Sequence, residues 1–237
     1  MFPIALAPWS VQEMYDLTIR AFNLAERFRT PVFVASDEAV GHARENAVFH
    51  DDYEVVDRVR AGDGTPFGTD APDGVPVMPA FGDGRELMVT GSTHDAKGFR
   101  KVDDPNVHDA LVTRLLRKVM DHTDEIVEVD AHLLDDAEIA FVAYGISART
   151  SIAAVKRLRA KGVKAGLLRP RTLWPFPERA VAGLGEKVRA IVVPELNKGM
   201  IASVVRGATP TQVHSITQTN GKTIDPSRAV RFVEEIR

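Results

Sequence analysis

Residues 105–237 alternate between short apolar runs of strand length and longer amphipathic stretches of helix length. Such alternation is typical of a parallel sheet that is covered by helices on both faces. Gly162 marks the end of one predicted helix, and Asp225-Pro226 marks the start of the last one. This part of the chain is therefore predicted to be an α/β domain. Its strands are predicted at 137–143, 163–168, 190–193 and 213–217, and its helices at 105–125, 147–160, 177–184, 199–205 and from 225 onward.

The first 45 residues predict a single helix followed by a single strand. Ser10-Val11-Gln12-Glu13 has the spacing of a capping box, in which a Ser cap is followed three residues later by Glu. Pro31 ends the helical pattern, and residues 32–35 form a short apolar run. Because one helix and one strand cannot bury both faces of a sheet, we expect further chain or another subunit to complete this unit. The apolar face predicted for the helix comprises Val11, Met14, Tyr15, Thr18, Ala21, Phe22, Ala25 and Phe28.

Residues 46–104 are rich in turn-forming glycine, proline and aspartate, as in Gly62-Asp63-Gly64 and Gly82-Asp83-Gly84. A segment of this length without regular structure is usually a functional arm, a partner-wrapping segment or a disordered linker. It also contains apolar residues, so we expect much of it to lie along a protein surface. The predicted organisation is thus an incomplete domain at 1–45, an irregular linking arm at 46–104 and an α/β domain at 105–237.

The composition narrows the class of protein. The chain has 237 residues, a formal net charge of −3 and no apolar run near the ~20 residues that span a bilayer. We therefore expect neither a general nucleic-acid surface nor a membrane span. The chain contains no cysteine, which excludes disulfides, a catalytic thiol and thiolate-ligated zinc or iron–sulfur sites within it. The absence of cysteine also fits a cytoplasmic location.

Residues 169–177 contain three prolines directly after the predicted strand at 163–168, so the strand is expected to stop there. In open parallel sheets, ligands and partners meet the loops at the carboxyl ends of strands, which makes this loop a candidate partner or ligand edge. Alternatives remain open: the aromatic residues can pack onto the core, and the acid after the next strand can form ion pairs or subunit contacts. The candidate residues at this edge are Arg169, Arg171, Trp174, Glu195 and Asn197.

A dense polar cluster follows the strand of the first region. Asp37, His42 and Arg44 are its candidate residues for contact with a cofactor bound between domains. The alternative interpretation is the charged start of a helix. Farther along the chain, Gly145 allows a tight turn before a helix whose N-terminus could hold an anion, with an ordinary helix cap as the alternative.

No complete catalytic motif occurs in the chain. The pairs His94-Asp95 and His108-Asp109 lack the spacing of a metal site. Neither a nucleophile elbow, a P-loop nor a zincin motif is present. We therefore assign no catalytic residue and no metal ligand from the residues alone.

Distinct motifs follow one another along essentially the whole chain. They include Pro76-Val77-Met78-Pro79-Ala80-Phe81-Gly82, Thr93-His94-Asp95 and Ala143-Tyr144-Gly145-Ile146-Ser147-Ala148-Arg149, and they continue at residues 6–10, 21–32, 41–45, 89–92 and 169–177. In this order they resemble the alpha subunit of 2-oxoacid:ferredoxin oxidoreductases. The first two motifs are most similar to the 2-oxoglutarate branch of that family, and the third is also similar to the branched-chain 2-oxoacid branch.

The resemblance implies a thiamine diphosphate enzyme that oxidatively decarboxylates a 2-oxoacid, passes electrons to ferredoxin and forms an acyl-CoA. It implies that residues 1–45 are the end of a pyrimidine-binding domain and that residues 105–237 are a transketolase C-terminal-like domain. In such enzymes the beta subunit holds the diphosphate, its magnesium ion and an iron–sulfur cluster. The beta subunit and ferredoxin are thus the implied partners, and the absence of cysteine agrees with this division.

The sequence departs from the family pattern in one respect. A Tyr-Pro-x-Thr-Pro segment and the glutamate that activates the cofactor's aminopyrimidine are not found in these 237 residues. We therefore expect a fragment, a truncated gene product or one half of a split subunit, and we expect the isolated chain to be inactive. The alternative from a different class is a stand-alone binding or assembly module that uses the edge at Arg169 and Glu195.

Overall fold

The computed structural model describes residues 2–60 and 64–237, which form two compact units by their contacts. The first unit comprises the described residues within Met1–Ile4, Ile19–Phe33 and His50–Ile126. The second comprises Ala5–Thr18, Val34–Phe49 and Val127–Arg237. In chain order the elements are β1 (Ile4–Leu6), α1 (Val11–Phe28), β2 (Val32–Val34), α2 (Glu38–Gly41), α3 (Pro105–Met120), α4 (Thr123–Ile126), β3 (Val129–His132), β4 (Ile139–Val142), α5 (Gly145–Ala160), β5 (Ala165–Pro170), β6 (Thr172–Trp174), α6 (Glu178–Gly185), β7 (Ala190–Glu195), α7 (Met200–Ala208), β8 (Gln212–Thr217) and α8 (Pro226–Ile236).

The second unit is built on a five-stranded sheet of order β3-β5-β4-β7-β8. Strands β5, β4, β7 and β8 are parallel, and β3 lies antiparallel to β5 at one edge. The predicted α/β class, the four predicted strands and helices α5 to α8 are confirmed. Strand β3 was not predicted because its four residues, Val129-Asp130-Ala131-His132, alternate apolar with polar and do not form an apolar run.

Helices cover both faces of this sheet, and each face has its own core. Along β4, Ile139 and Phe141 belong to the core shared with α5 and α8, whereas Ala140 and Val142 belong to the core shared with α6 and α7. This alternation follows from the two-residue period of a strand. Burial of apolar area is the main favourable term that holds the helices onto the sheet. None of the helices that the structure describes is long and apolar enough to cross a bilayer.

Strand β5 continues through the position where it was predicted to stop. Asp130 of β3 pairs with Arg169, and Val129 pairs with Pro170, in antiparallel register. The chain then turns at Arg171, and β6 pairs antiparallel with β1. The prediction was wrong because Pro170 is the last residue of the strand and lies beyond its last pair with β4, so its missing amide hydrogen breaks no bond to that strand.

Helix α1 begins where the capping box predicted. The Ser10 hydroxyl accepts a hydrogen bond from the Glu13 amide (3.2 Å), and the Glu13 carboxylate accepts one from the Trp9 amide (3.1 Å). The predicted apolar face was wrong at Phe22, which is 71% exposed, and at Thr18, which is also exposed. Two overlapping stripes of helical period run along this helix, and tertiary packing selects one of them. The buried residues of the helix are Leu17, Ala21, Leu24 and Phe28.

In the first unit the arm has little regular structure. Its described residues, 46–60 and 64–104, contain no helix or strand, and one isolated bridge joins His94 to Arg100. The Asn23 side chain holds the arm against α1. Its amide group donates to the Glu54 carbonyl (2.8 Å), and its oxygen accepts from the Val56 amide (3.0 Å).

The predicted domain boundaries do not coincide with the compact units. Helix α3 groups with the arm in the first unit, whereas the sequence placed residues 105–125 with the sheet. The division into 1–45, 46–104 and 105–237 therefore stays a prediction. The turn predicted at Gly62-Asp63-Gly64 lies outside the described residues for its first two positions.

Candidate functional site

An open cleft of about 650 Å³ lies at the carboxyl end of β7 and β8 in the second unit. This edge is where ligands bind in open parallel sheets. The structure brings the predicted candidates Asp37 and His42 into the lining of this cleft, whereas Arg44 is exposed and is not a lining residue. The segment after β8 supplies much of the remaining polar lining, including Gln218, Thr219, Lys222 and Thr223.

Asp37 connects the cleft to the start of α5. Its Oδ1 accepts a hydrogen bond from the Val40 amide (2.9 Å) and caps α2, while its Oδ2 accepts one from the Ile146 amide (2.6 Å). A carboxylate at a helix N-terminus compensates the unpaired amides and the helix dipole. The anion that the turn at Gly145 was thought able to hold is therefore the chain's own Asp37.

Gly145 allows this close approach. Its φ is +53°, and a Cβ at this position would lie 2.4 Å from Asp37 Oδ2. Any side chain would push the carboxylate away from the Ile146 amide. The glycine thus serves both the backbone conformation of the turn and the contact of Asp37 with the helix.

Tyr144 and Asn197 meet where the carboxyl ends of β4 and β7 lie side by side. The Asn197 side-chain amide donates to the Tyr144 hydroxyl (3.4 Å), and its oxygen accepts from the Gly199 and Met200 amides (2.8 and 2.9 Å). Burial, together with the nearby carboxylate of Glu195, raises the pKa of Tyr144 above its ordinary value. The phenol therefore stays neutral and keeps its proton as a hydrogen-bond donor.

Glu195 is 1% exposed and ends strand β7. Its two carboxylate oxygens accept hydrogen bonds from the Ile201 and Ala202 amides (2.8 and 2.9 Å), in the first turn of α7. The predicted ion pair between this acid and the arginines of the 169–177 segment is not formed among the described residues. Glu195 compensates a helix start, as Asp37 does.

Arg169 is buried, with 1% of its surface exposed, and it lies within β5 and not in the loop after the strand, where it was predicted. Its Nη1 and Nη2 donate to the two oxygens of Glu13 (2.7 and 2.6 Å), and its Nε donates to Asp130 Oδ2 (2.7 Å). The guanidinium also lies 4.0 Å from the centre of the Trp9 ring. Burial opposes the charge, but the hydrogen bonds that Arg169 donates to Glu13 and Asp130 outweigh it and raise the pKa of Arg169.

The remaining members of the predicted edge differ in exposure. Arg171 extends the charge network, with Nε 3.4 Å from Glu13 and Nη1 3.2 Å from Glu128. Phe176 is buried in the core, as the alternative interpretation of the aromatics has it. Trp174 is 40% exposed and is the large apolar side chain that this segment presents at the surface.

Sequence reasoning missed Glu13, Asp130 and Trp9 as partners of Arg169. Glu13 was recognised only as part of a helix start, and it lies 156 positions before Arg169. Asp130 belongs to the edge strand that the sequence did not predict. The sequence signal for Asp130 was an acid in a short alternation of polar and apolar residues before the first apolar strand. This signal is too weak to identify the partner of Arg169.

The described residues do not supply a metal centre. No group of three or more His, Asp or Glu residues placed to hold a metal ion occurs in the described part of the chain. The sequence has no cysteine for a cluster. Asp37, a carboxylate lining the cleft, is already bound to two amides. These residues do not fit a diphosphate with its metal ion, and we derive no reaction step for them.

We predict that Arg169→Leu lowers the free energy of unfolding by about 3–5 kcal/mol, because two carboxylates lose their buried partner. Urea unfolding followed by circular dichroism measures the change. Arg157→Leu is the matched control: Arg157 is exposed and its Nη1 donates to the Ser227 hydroxyl, so a loss below about 1 kcal/mol is expected. Equal losses in the two variants would contradict the role of Arg169.

Gly145→Ala is expected to lower the free energy of unfolding by about 1–3 kcal/mol, because it strains the backbone and displaces Asp37. Gly183→Ala in α6 is the control, since no atom lies within 4 Å of a Cβ there. That change is expected to be neutral or to stabilise by up to about 1 kcal/mol. Thermal unfolding of both variants tests the prediction, and a neutral Gly145→Ala would refute it.

Two family profiles match the chain one after the other. The family described as pyruvate flavodoxin/ferredoxin oxidoreductase, thiamine diP-binding, matches residues 3–114. The family described as pyruvate:ferredoxin oxidoreductase core domain II matches residues 137–229. The first description agrees with a thiamine diphosphate-binding domain at the start of the chain, and the second with the α/β sheet.

Individual relatives of the chain are subunits of 2-oxoacid oxidoreductases. The chain is 46% identical to the 2-oxoglutarate synthase subunit KorA of Methanocaldococcus jannaschii over 84% of this chain and 53% of the relative. It is 32% identical to the ketoisovalerate oxidoreductase subunit VorB of Methanothermobacter thermautotrophicus over 98% of this chain and 60% of the relative. A solved structure of 2-oxoglutarate:ferredoxin oxidoreductase from Magnetococcus marinus, with 2-oxoglutarate, coenzyme A and succinyl-CoA bound, is also similar. The match covers 98% of this chain and 42% of the solved chain, with a TM-score of 0.86 and 23% sequence identity. This likeness indicates a shared fold.

The chain spans about half the length of the first of these relatives. The two profiles together account for most of the described residues, and the resemblance that the sequence motifs indicated is confirmed. The chain belongs to the 2-oxoacid:ferredoxin oxidoreductase family and corresponds to alpha-subunit sequence within it.

Proposed function

We propose that this chain acts as part of the alpha subunit of a thiamine diphosphate-dependent 2-oxoacid:ferredoxin oxidoreductase. The reaction converts a 2-oxoacid and CoA to an acyl-CoA and CO2 and passes electrons to ferredoxin. The observation that carries the proposal is the 46% identity to a 2-oxoglutarate synthase subunit over 84% of the chain. The cleft lined by Asp37 and His42 gives the chain a surface that can take part in such a complex.

The proposed substrate is 2-oxoglutarate. Its support is the difference in identity between the 2-oxoglutarate synthase subunit, at 46%, and the ketoisovalerate oxidoreductase subunit, at 32%. A branched-chain 2-oxoacid is the alternative substrate, because the motif at residues 143–149 is similar to both branches.

We assign the metal-dependent chemistry to other parts of the complex. Thiamine diphosphate with its magnesium ion requires hard oxygen ligands, and an iron–sulfur cluster requires thiolates. The described residues offer no such group of ligands, and the sequence has no cysteine. The beta subunit is therefore the proposed holder of the diphosphate, the magnesium ion and the cluster, and ferredoxin is the proposed electron acceptor.

Within this complex we assign residues 1–45 to the end of the pyrimidine-binding domain, 46–104 to a linking arm and 105–237 to the transketolase C-terminal-like domain. His42 and Asp37 line the proposed cofactor side of the cleft, and Arg44, exposed two residues after His42, is the proposed further contact with the cofactor outside that lining. Trp174, exposed at the sheet edge, is the proposed contact with the beta subunit. CoA and the 2-oxoacid are proposed to bind to the assembled complex. We place this complex in the cytoplasm.

The stand-alone binding module is the weaker alternative. Its proposed anion site depended on free arginine donors at the sheet edge. The donors of Arg169 are taken by Glu13 and Asp130, and Glu195 is taken by two helix amides. What remains for a partner at this edge is Trp174 and the outer face of Arg171.

Purification of the chain from its native cells, with mass spectrometry of the bound proteins, tests the proposal. We expect a cysteine-rich subunit to co-purify, and we expect the complex to reduce ferredoxin in a CoA-dependent reaction with 2-oxoglutarate in preference to ketoisovalerate. The isolated chain is expected to show no turnover. Recovery of the chain alone, folded and monodisperse, would instead support the binding module, and turnover by the isolated chain would refute the division of roles.

In the purified complex, His42→Ala is expected to raise the apparent KM for thiamine diphosphate by roughly tenfold, because the loss of one hydrogen bond weakens binding by about that factor. Lys156→Ala is the control, because Lys156 is exposed on α5 and does not line the cleft. Steady-state kinetics at varied cofactor concentration measures both variants. Unchanged KM in His42→Ala would remove His42 from the cofactor side.

A further inference from the structure

Three cationic side chains, Arg29, Arg114 and Lys118, gather in the first unit with backbone carbonyls as their partners. Lys118 is 3% exposed, and its Nζ donates a hydrogen bond to the Arg29 carbonyl (2.8 Å). The two guanidinium groups donate to carbonyls of the arm between residues 66 and 77 at 2.7 to 3.3 Å. Carbonyls satisfy the donors but do not neutralise the charge, so the cluster is positive overall.

The Lys118 amine is held partly in its neutral form by this environment. Burial first, and then the like charges of Arg114 and Arg29, lower the pKa of Lys118 to about 7. Arg114 lies one helical turn before Lys118 on α3 and therefore shares its face. A neutral lysine nitrogen has a free lone pair and is a nucleophile, whereas an ammonium group is not.

A cavity of about 310 Å³ reaches Lys118 and Arg114 from outside. It lies between α3 and residues 71–74 of the arm, and it has ample room for a molecule of three heavy atoms, since one water occupies about 30 Å³. Asp109 also lines the cavity, but it is exposed, and water screens its charge. The cavity therefore brings a small neutral electrophile to the Lys118 side chain.

The other charged groups around the cavity have partners of their own. Asp73, from the arm, pairs with Arg27 at 2.9 Å, and Asp121 pairs with Arg117 at 3.0 Å. His122, in the turn after α3, has its Nδ1 3.2 Å from the Lys118 carbonyl. The acids that could have neutralised Lys118 are thus committed elsewhere, and Arg29 and Arg114 lack a carboxylate among the described residues.

We propose that Lys118 is a carbamylation site, at which its neutral amine adds CO2 to form a lysine carbamate. The Nζ lone pair forms the N–C bond, one C–O π pair of CO2 moves onto oxygen, and Nζ loses a proton to solvent. The product is an anion in the field of the Arg29 and Arg114 charges that act on Lys118, so the positive cluster gains the negative partner that it lacks. The inference concerns the first unit alone and does not rest on the proposed function.

Trapping tests the site directly. The purified full chain, with any subunit that remains bound, is incubated with ¹³C-bicarbonate, and carbamates are fixed by alkylation with a trialkyloxonium salt before peptide mass spectrometry. We expect the label on Lys118 and several-fold less on Lys161, an exposed lysine paired with Glu234. The yield is expected to fall as the pH drops below the pKa of about 7, because protonation removes the nucleophile.

Lys118→Arg keeps the positive charge and cannot form the carbamate, so the label at this position is expected to disappear. Lys161→Arg is the matched variant, in which the label on Lys118 is expected to persist. If Lys118→Arg fails to fold, the distribution of label over the lysines of the wild-type chain decides the question alone. Folded wild-type protein with no label on Lys118, or with equal label on Lys118 and Lys161, overturns the proposal.

Discussion

Arg169 carries a positive charge at the end of β5 where only 1% of its surface reaches water, a position at which an unpaired charge would cost several kcal/mol. Glu13 at the start of α1 and Asp130 in β3 supply the compensating charges, and the Trp9 ring covers the guanidinium. One side chain therefore fixes the helix start, the edge strand and the strand end relative to one another. The register of β3 on β5 depends on it, because Asp130 stands directly opposite Arg169.

The carboxyl edge of the sheet follows a related rule. Asp37 compensates the N-terminus of α5, and Glu195 compensates that of α7. Asn197 accepts hydrogen bonds from the amides of Gly199, the N-cap of α7, and Met200, its first residue. Most of the acidic groups that sequence reasoning selected are thus used to hold helix starts in place. Asp37 lines the cleft without being free to react, and Glu195 is buried behind the start of α7. This arrangement agrees with the proposed role of the chain, which contributes surface and position to a complex.

Much of the fold could be predicted because its helices and parallel strands each carry a local pattern that repeats within a few residues. The edge strand β3 could not, since its four residues have no apolar run. The Arg169 network could not either, because Glu13 lies 156 positions away and neither residue's neighbours indicate the pairing. The contact of Asp37 with α5 could be predicted in part. The sequence indicated that the helix start could hold an anion, but it did not indicate that a residue 109 positions earlier supplies that anion.

The most direct measurement is a double-mutant cycle of Glu13→Gln and Arg169→Met, followed by urea unfolding. The cycle isolates the pairwise energy from the cost of changing either side chain alone. We predict a coupling energy of at least about 1.5 kcal/mol, since the two groups share two hydrogen bonds in a buried setting. Additive effects, with a coupling within about 0.5 kcal/mol of zero, would contradict the view that this ion pair organises the second unit.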